Sequence, residues 1–324
     1  MEKANRFLMI FGRGREQEKK DGGLRKGGLL DRLDRLSDAS TAYLYLLPTL
    51  TLILLTVIVP MLYALFISFS KVAFTQGSMT YEFVGLSNYM QLLRDARFPD
   101  VLSNTVFFTV TKVVATLAIA FGISLTIYFG VWGAGFFKRI FLIPWALSNV
   151  VNSLMWQWMY SGDYGIFNEI LLRLGFIDEY QMWLVNVHTA MSAVLFADIW
   201  KSVPYVALLL LAAMQSIPRE LHEASKVDGG GPITAFYHII LPHIKPVIMV
   251  LLVIETMWTL RVFDLIWLLT KGGPQDSTMT LNVFAYEQAF RNFDLGYGAA
   301  ISYCITILTL IFTFFYMKTL KVEN

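Results

Sequence analysis

The chain has 324 residues, 56% apolar and 15% charged, with a formal net charge of +2 and a mean hydropathy of +0.55. Soluble globular chains are about 45–50% apolar and about 25% charged, so this composition excludes an ordinary soluble enzyme and a disordered protein. The near-zero net charge also leaves no basic face for nucleic acid.

The charges are unevenly placed: residues 1–40 hold 17 of the 50 charged residues. Residues 1–41 read as a polar cytoplasmic segment with glycine pairs at 22–23 and 27–28. Within it, Leu29, Leu30, Leu33 and Leu36 share one helical face, which predicts an amphipathic helix at the membrane interface. The apolar patch Phe7–Phe11 is too short for a signal peptide, and charged, Gly-rich sequence follows it.

A span needs about 20 mostly apolar residues. Uncharged runs at 39–70, 113–137, 140–162 and 295–317 mark four, and two interrupted apolar runs mark two more. The expectation is an all-α integral membrane protein with six transmembrane helices, roughly 42–70, 103–130, 139–160, 187–214, 246–270 and 297–319, forming one domain over 42–320. An even number of spans puts both termini on one side. That side also carries Lys138, Arg139, Arg219, Lys226, Lys245, Lys318 and Lys321. The other side carries only Arg94, Arg97, Arg173, Lys271 and Arg291, with Lys71 at its edge. Positive residues stay inside, so the termini and the 215–245 connection are expected to be cytoplasmic.

Cys304, the lone cysteine, reads as a packing residue and excludes a disulfide within the chain. His222, His238 and His243 read as surface histidines, and no metal site is expected. Trp156, Trp158, Trp183 and Trp200 lie near span ends and read as interface anchors.

The cytoplasmic connection is the most informative stretch. Residues 217–242 predict two short helices. Pro218 opens the first, Asp228 and the glycines at 229–231 stop it, and Pro232 opens a second that presents Phe236, Ile239 and Ile240. A compact, partly apolar helical pair suits docking in a groove of another protein.

Glu223-Ala224-Ser225, then Gly229, then Ile239-Ile240-Leu241-Pro242 resembles the EAA loop of the inner-membrane permease subunits of ABC importers. Ser225 in place of a second alanine is the one departure. Arg261 to Asp264, Leu269-Thr270, Gly272-Gly273-Pro274, Thr278, Phe83, Gly85, Asn88, Asn104 and Thr105 are similar to the carbohydrate, maltose-type branch. The profile is also similar to permeases of bacterial alginate importers, which would imply an acidic oligosaccharide. The resemblance covers about residues 42–320 and implies a type I ABC importer permease fold in the bacterial inner membrane.

It further implies a second homologous permease, two ATPase subunits, a periplasmic solute-binding protein, a sugar or oligosaccharide substrate, and surrounding lipid. Coupling to the ATPases would run through Glu223, Ala224, Ser225, Asp228, Gly229, Ile239, Leu241 and Pro242. ATP and Mg would sit on the partner subunits, and no cofactor is expected on this chain. No phosphate-binding loop of the form G-x-x-x-x-G-K-[ST] occurs in the sequence. The chain is therefore expected to be a pore-forming subunit with no catalytic residues.

Ionisable side chains at membrane depth are expensive and usually face a water-filled cavity. Asp198, Lys201, Ser202 and Tyr205 form a polar stripe on the fourth span. Glu255, Trp258, Thr259 and Val262 share one face of the fifth, with Arg261 beside them. Aromatic faces with polar groups suit sugars, and matching to the family lands on the same set. Asp198 with Lys201, and Arg261 with Asp264, would serve equally well as structural ion pairs. The competing reading is a stand-alone ion-coupled transporter with Asp198 and Glu255 as proton sites. No internal repeat supports it.

Overall fold

A computed structural model describes residues 38–75, 78–130 and 142–321. The interfacial helix expected at 29–36 lies outside these residues. The chain divides into two units, 1–62 and 63–324. The first is described from α1 (Asp38–Ile53) through a π turn (Leu54–Ile58) into α2 (Val59–Ser68), which runs on into the second.

The second unit continues with a hairpin of β1 (Ser70–Thr75) and β2 (Ser78–Phe83), α3 (Ser87–Arg94) and α4 (Phe98–Tyr128). Then come α5 (Ile143–Ala146), α6 (Asn149–Met159), α7 (Ile166–Arg173), α8 (Ala190–Gln215) and α9 (Arg219–Val227). The rest is α10 (Pro232–Ala235), a π turn (Phe236–Ile240), α11 (Leu241–Thr259), α12 (Asp264–Leu269), α13 (Leu281–Tyr286), a π turn (Glu287–Arg291) and α14 (Leu295–Lys321). The fold is helical, as expected, apart from the unforeseen hairpin. Its antiparallel register runs from Ser70 opposite Phe83 to Thr75 opposite Ser78.

Among the described residues, five helices are long and apolar enough to cross a membrane: Tyr45–Ser68, Phe98–Tyr128, Ala190–Gln215, Ile233–Thr259 and Leu295–Tyr316. They correspond to the expected spans one, two, four, five and six. The expected third span, 139–160, is not one helix. Leu147 is extended and Ser148 starts α6 afresh, its hydroxyl accepting from the Val151 N–H at 3.3 Å. Such caps satisfy an N–H that the first helical turn leaves unpaired.

The expected fifth span, 246–270, is displaced toward the N-terminus. Helix runs unbroken from Pro232 through the π turn to Thr259, so the second loop helix is the start of the span. Pro242 has no N–H to give to the preceding turn. The π turn accommodates this locally, with the Leu241 N–H bonding the Phe236 carbonyl. After Thr259 the chain breaks and restarts at Asp264.

Spans two, four and five form the framework of the cavity. α4, 31 residues long, extends roughly 46 Å and has no proline beyond its first turn. Ala120, Ala207, Val203, Val206, Leu210 and Leu251 pack where α4, α8 and α11 meet. Small residues allow this close approach, and the Ser124 hydroxyl donates across it to the Ala207 carbonyl at 2.7 Å. A larger core gathers Phe108, Trp156, Ile266, Leu281, Phe284 and Tyr297. Trp156 is only 2% exposed, so it is a core residue and not the interface anchor expected. Its ring meets Tyr160, Phe167, Phe196 and Trp200.

Candidate translocation cavity and coupling loop

A cavity of about 390 Å³ opens between α4, α8, α11 and the broken third span. Asp198, Lys201, Ser202, Tyr205, Glu255, Trp258, Arg261 and Val262 all line it. Thr259, expected with them, does not. It is buried, and its hydroxyl donates to the Glu255 carbonyl at 2.6 Å. The wall also includes Lys112, Trp145, Asn149, Phe263 and Asp264. The helical spacing on spans four and five had not pointed to the first four of these.

Three aromatic rings form a row along this wall. Trp145 stacks on Tyr205, with centroids 5.2 Å apart and planes 10° from parallel. Tyr205 in turn meets Trp258 at 5.5 Å. Trp145 reaches the row because the third span breaks just after α5.

The charges pair differently from the expectation. Lys201 donates to Asn149 Oδ1 on α6, and no Asp198–Lys201 ion pair forms. A spacing of three residues permits that contact without enforcing it, and the amide across the cavity is the partner Lys201 takes. Arg261 and Asp264 do not pair either; both are exposed. The buried ion pair is Lys112 on α4 with Glu255 on α11, their side chains 3% and 1% exposed. Removing one partner of such a pair leaves an uncompensated buried charge and costs roughly 3–5 kcal/mol. Glu255 Oε1 and Asp198 Oδ2 are both buried without a hydrogen-bond partner. Each such acceptor costs about 1–3 kcal/mol while it stays unmet.

The loop at 217–242 folds as its glycines require. Asp228 N–H bonds the Ala224 carbonyl at 3.0 Å and Gly230 N–H bonds the Ser225 carbonyl at 2.7 Å, closing α9. Gly229 has φ +77°, and a Cβ on Gly230 would sit 2.5 Å from Ser225 Oγ. Glu223, Ala224, Asp228 and Pro242 are exposed, whereas Ser225, Ile239 and Leu241 are half-buried. Leu221, Val227, Ile233 and Tyr237 present apolar surface. Beneath them Ile240 and Ile244 lock against Met214 and Ile217, with Phe121, Leu125 and Tyr128 of α4 packed alongside. His222 is not a free surface histidine, since its Nε2 lies 2.7 Å from the Tyr128 hydroxyl.

At the opposite end of α4, Arg97 bridges Asp276 at 2.8 Å and Glu287 at 3.0 Å. Burial works against its charge, yet the hydrogen bonds to Glu287 and Asp276 hold its pKa above the ordinary arginine value. Asn104 donates to the Asp276 carbonyl at 2.9 Å, and Thr105 Oγ accepts from the Leu281 N–H at 2.9 Å. Thr278 closes the 270–278 turn through Thr270 at 2.7 Å and the Gly273 carbonyl at 2.8 Å. The Gly273–Pro274 bond in that turn is cis.

Comparison with known proteins agrees with this architecture. Residues 118–320 match the family described as binding-protein-dependent transport system inner membrane component. The chain is 36% identical to the trehalose/maltose transport system permease protein MalF of Thermococcus litoralis, over 87% of this chain and 94% of that one. It is 34% identical to the sulfoquinovosyl glycerol transport system permease protein SmoG of Agrobacterium fabrum, over 89% and 93%. Its fold matches a chain of a bacterial ABC transporter involved in import of the acidic polysaccharide alginate, with TM-score 0.75 and 22% identity, over 91% and 99%. Nothing among these relatives supports a stand-alone ion-coupled carrier. The chain belongs to the binding-protein-dependent transport system inner membrane component family, the multi-pass permease subunits of ABC importers.

Proposed function

We propose that this permease forms half of the path for a sugar or small oligosaccharide. The observation that carries the proposal is the Trp145–Tyr205–Trp258 row facing carboxylates and an ammonium group in one cavity. Aromatic faces take the C–H patches of a pyranose, and the polar groups take its hydroxyls. The trehalose/maltose and sulfoquinovosyl glycerol systems named for the relatives are consistent with a saccharide cargo.

A second reading is an acidic saccharide. Lys201 hydrogen-bonds the neutral Asn149, and Arg261 has no hydrogen-bond or ion-pair partner among the described residues, so neither cation is engaged in a salt bridge and both can meet an acid group. Against it, Asp198, Glu255 and Asp264 balance Lys112, Lys201 and Arg261 around the cavity.

The Lys/Arg bias supports cytoplasmic termini and a cytoplasmic 217–242 loop. The exposed apolar residues of that loop, with Glu223, would dock in one of two ATPase subunits that hold ATP and Mg. A second permease would complete the path, and a periplasmic binding protein would deliver the cargo.

The test is ATPase stimulation of the purified complex with its binding protein. Maltose, trehalose, sulfoquinovosyl glycerol and alginate oligosaccharides are compared. Stimulation by a neutral disaccharide supports the first reading, and stimulation by alginate oligosaccharides alone supports the second. Indifference to every sugar, with stimulation by a non-sugar solute, would rule both out.

A further inference from the structure

We propose that the Lys112–Glu255 pair is a latch that holds α4 against α11 in the unloaded permease, and that α4 carries its state to the coupling loop. The inference rests on the sugar-path reading of the cavity and adds a positioning residue, Lys112, to it.

Three observations carry it. First, the pair joins two spans at the cavity wall, with both side chains almost wholly buried. Second, its acceptor capacity is unfilled. Glu255 Oε1 lacks a partner, as does Asp198 Oδ2 on α8. A cargo hydroxyl is a donor and can satisfy these oxygens; donation to Glu255 Oε1 draws on the same carboxylate charge that Lys112 holds at Oε2 and so weakens that pairing. Third, α4 touches both arms of the coupling loop. Tyr128 meets His222 on α9, and the Phe121 ring meets Phe236 in the π turn edge-on at 5.8 Å.

Lys112 and Tyr128 are 16 positions apart in one helix, roughly 24 Å along its axis. α8 contains Pro204, and α11 carries Pro246 and follows a π turn. Proline and π turns are where helices bend. α4 is therefore the stiff member of the three. Release of Lys112 at the cavity frees a rod whose far end holds the loop.

The test uses the whole complex in proteoliposomes, without sugar or binding protein. Both residues are replaced together, Lys112→Met with Glu255→Met, because removing both charges of a buried pair is usually tolerated by the fold. A second variant exchanges them, Lys112→Glu with Glu255→Lys. Coupling between sites commonly amounts to about 5- to 150-fold. The neutral pair should raise sugar-free ATP hydrolysis at least ~5-fold, and the exchanged pair should return it toward the wild-type rate. A neutral pair with a wild-type basal rate overturns the latch. So does an exchanged pair as active as the neutral one, or a neutral pair that cannot assemble, which would make the contact a folding requirement. The rate is read with no cargo present, so failure here leaves the sugar assignment standing.

Discussion

The Tyr128 hydroxyl lies 2.7 Å from Nε2 of His222, tying the last turn of α4 to the first helix of the coupling loop. Removing that hydroxyl with Tyr128→Phe should cost about 0.5–1.5 kcal/mol. Amide exchange in residues 219–227 should then rise about 2- to 12-fold, since about 1.4 kcal/mol is tenfold. Unchanged exchange there would mean the bond does not restrain α9.

The three loop glycines should not be equivalent. A Cβ at Gly229 meets nothing within 4 Å, so Gly229→Val is penalised through its φ of +77° alone, by roughly 1–2 kcal/mol. Gly230→Ala places its Cβ against Ser225, whereas Gly231→Ala enters open space. Co-purification with the ATPases should fall for the first two variants and persist for the third. Equal behaviour of Gly230→Ala and Gly231→Ala would contradict the steric account.

The aromatic row should act through its middle ring. Tyr205 contacts both Trp145 and Trp258, whereas no contact joins the two tryptophans directly. An aromatic pair adds about 0.5–1.5 kcal/mol, so Trp258→Ala removes one such contact and Tyr205→Ala two. Half-saturating sugar in the ATPase assay should rise in that order, with assembly intact. If Trp258→Ala proved the more damaging, the row would not be the recognition element.

Glu169 gives a pH prediction away from the spans. The Tyr180 hydroxyl donates to it at 2.6 Å and Arg173 Nε at 2.5 Å, and both hold its pKa below the ordinary 4.5. A carboxyl depressed in the folded state contributes stability above its unfolded pKa and loses it as pH falls through the folded one. The contribution should thus be complete above about 4.5 and fade only at lower pH. Tyr180→Phe should move that loss upward toward the ordinary value. An amide-exchange titration of residues 166–173 would show it, and overlapping wild-type and variant profiles would exclude the effect.

Much of this was legible in the residues themselves. Spans one, two and six followed from uncharged runs, and the loop turn followed from Gly229. The helical faces of α8 and α11 identified most of the cavity wall. Lys112 was missed because it bounded the uncharged run 113–137, and a run's boundary reads as its end. Its partner is 143 positions away, beyond the reach of any helical period. The Asp198–Lys201 spacing misled for the converse reason, since local proximity could not reveal Asn149 on α6. Several signature residues, among them Asn104, Thr105 and Thr278, hold backbone groups between 273 and 281 in place. The broken third span was also hidden, because hydropathy does not register a capping serine.

The Asn282 amide donates to the Leu260 carbonyl at 2.5 Å and to the Val262 carbonyl at 3.4 Å. Broken backbone at membrane depth is tolerated where protein satisfies it. Here the Asn282 side chain from α13 does so. The carbonyls freed where α11 ends thus have a protein donor of their own and do not depend on solvent in the neighbouring cavity.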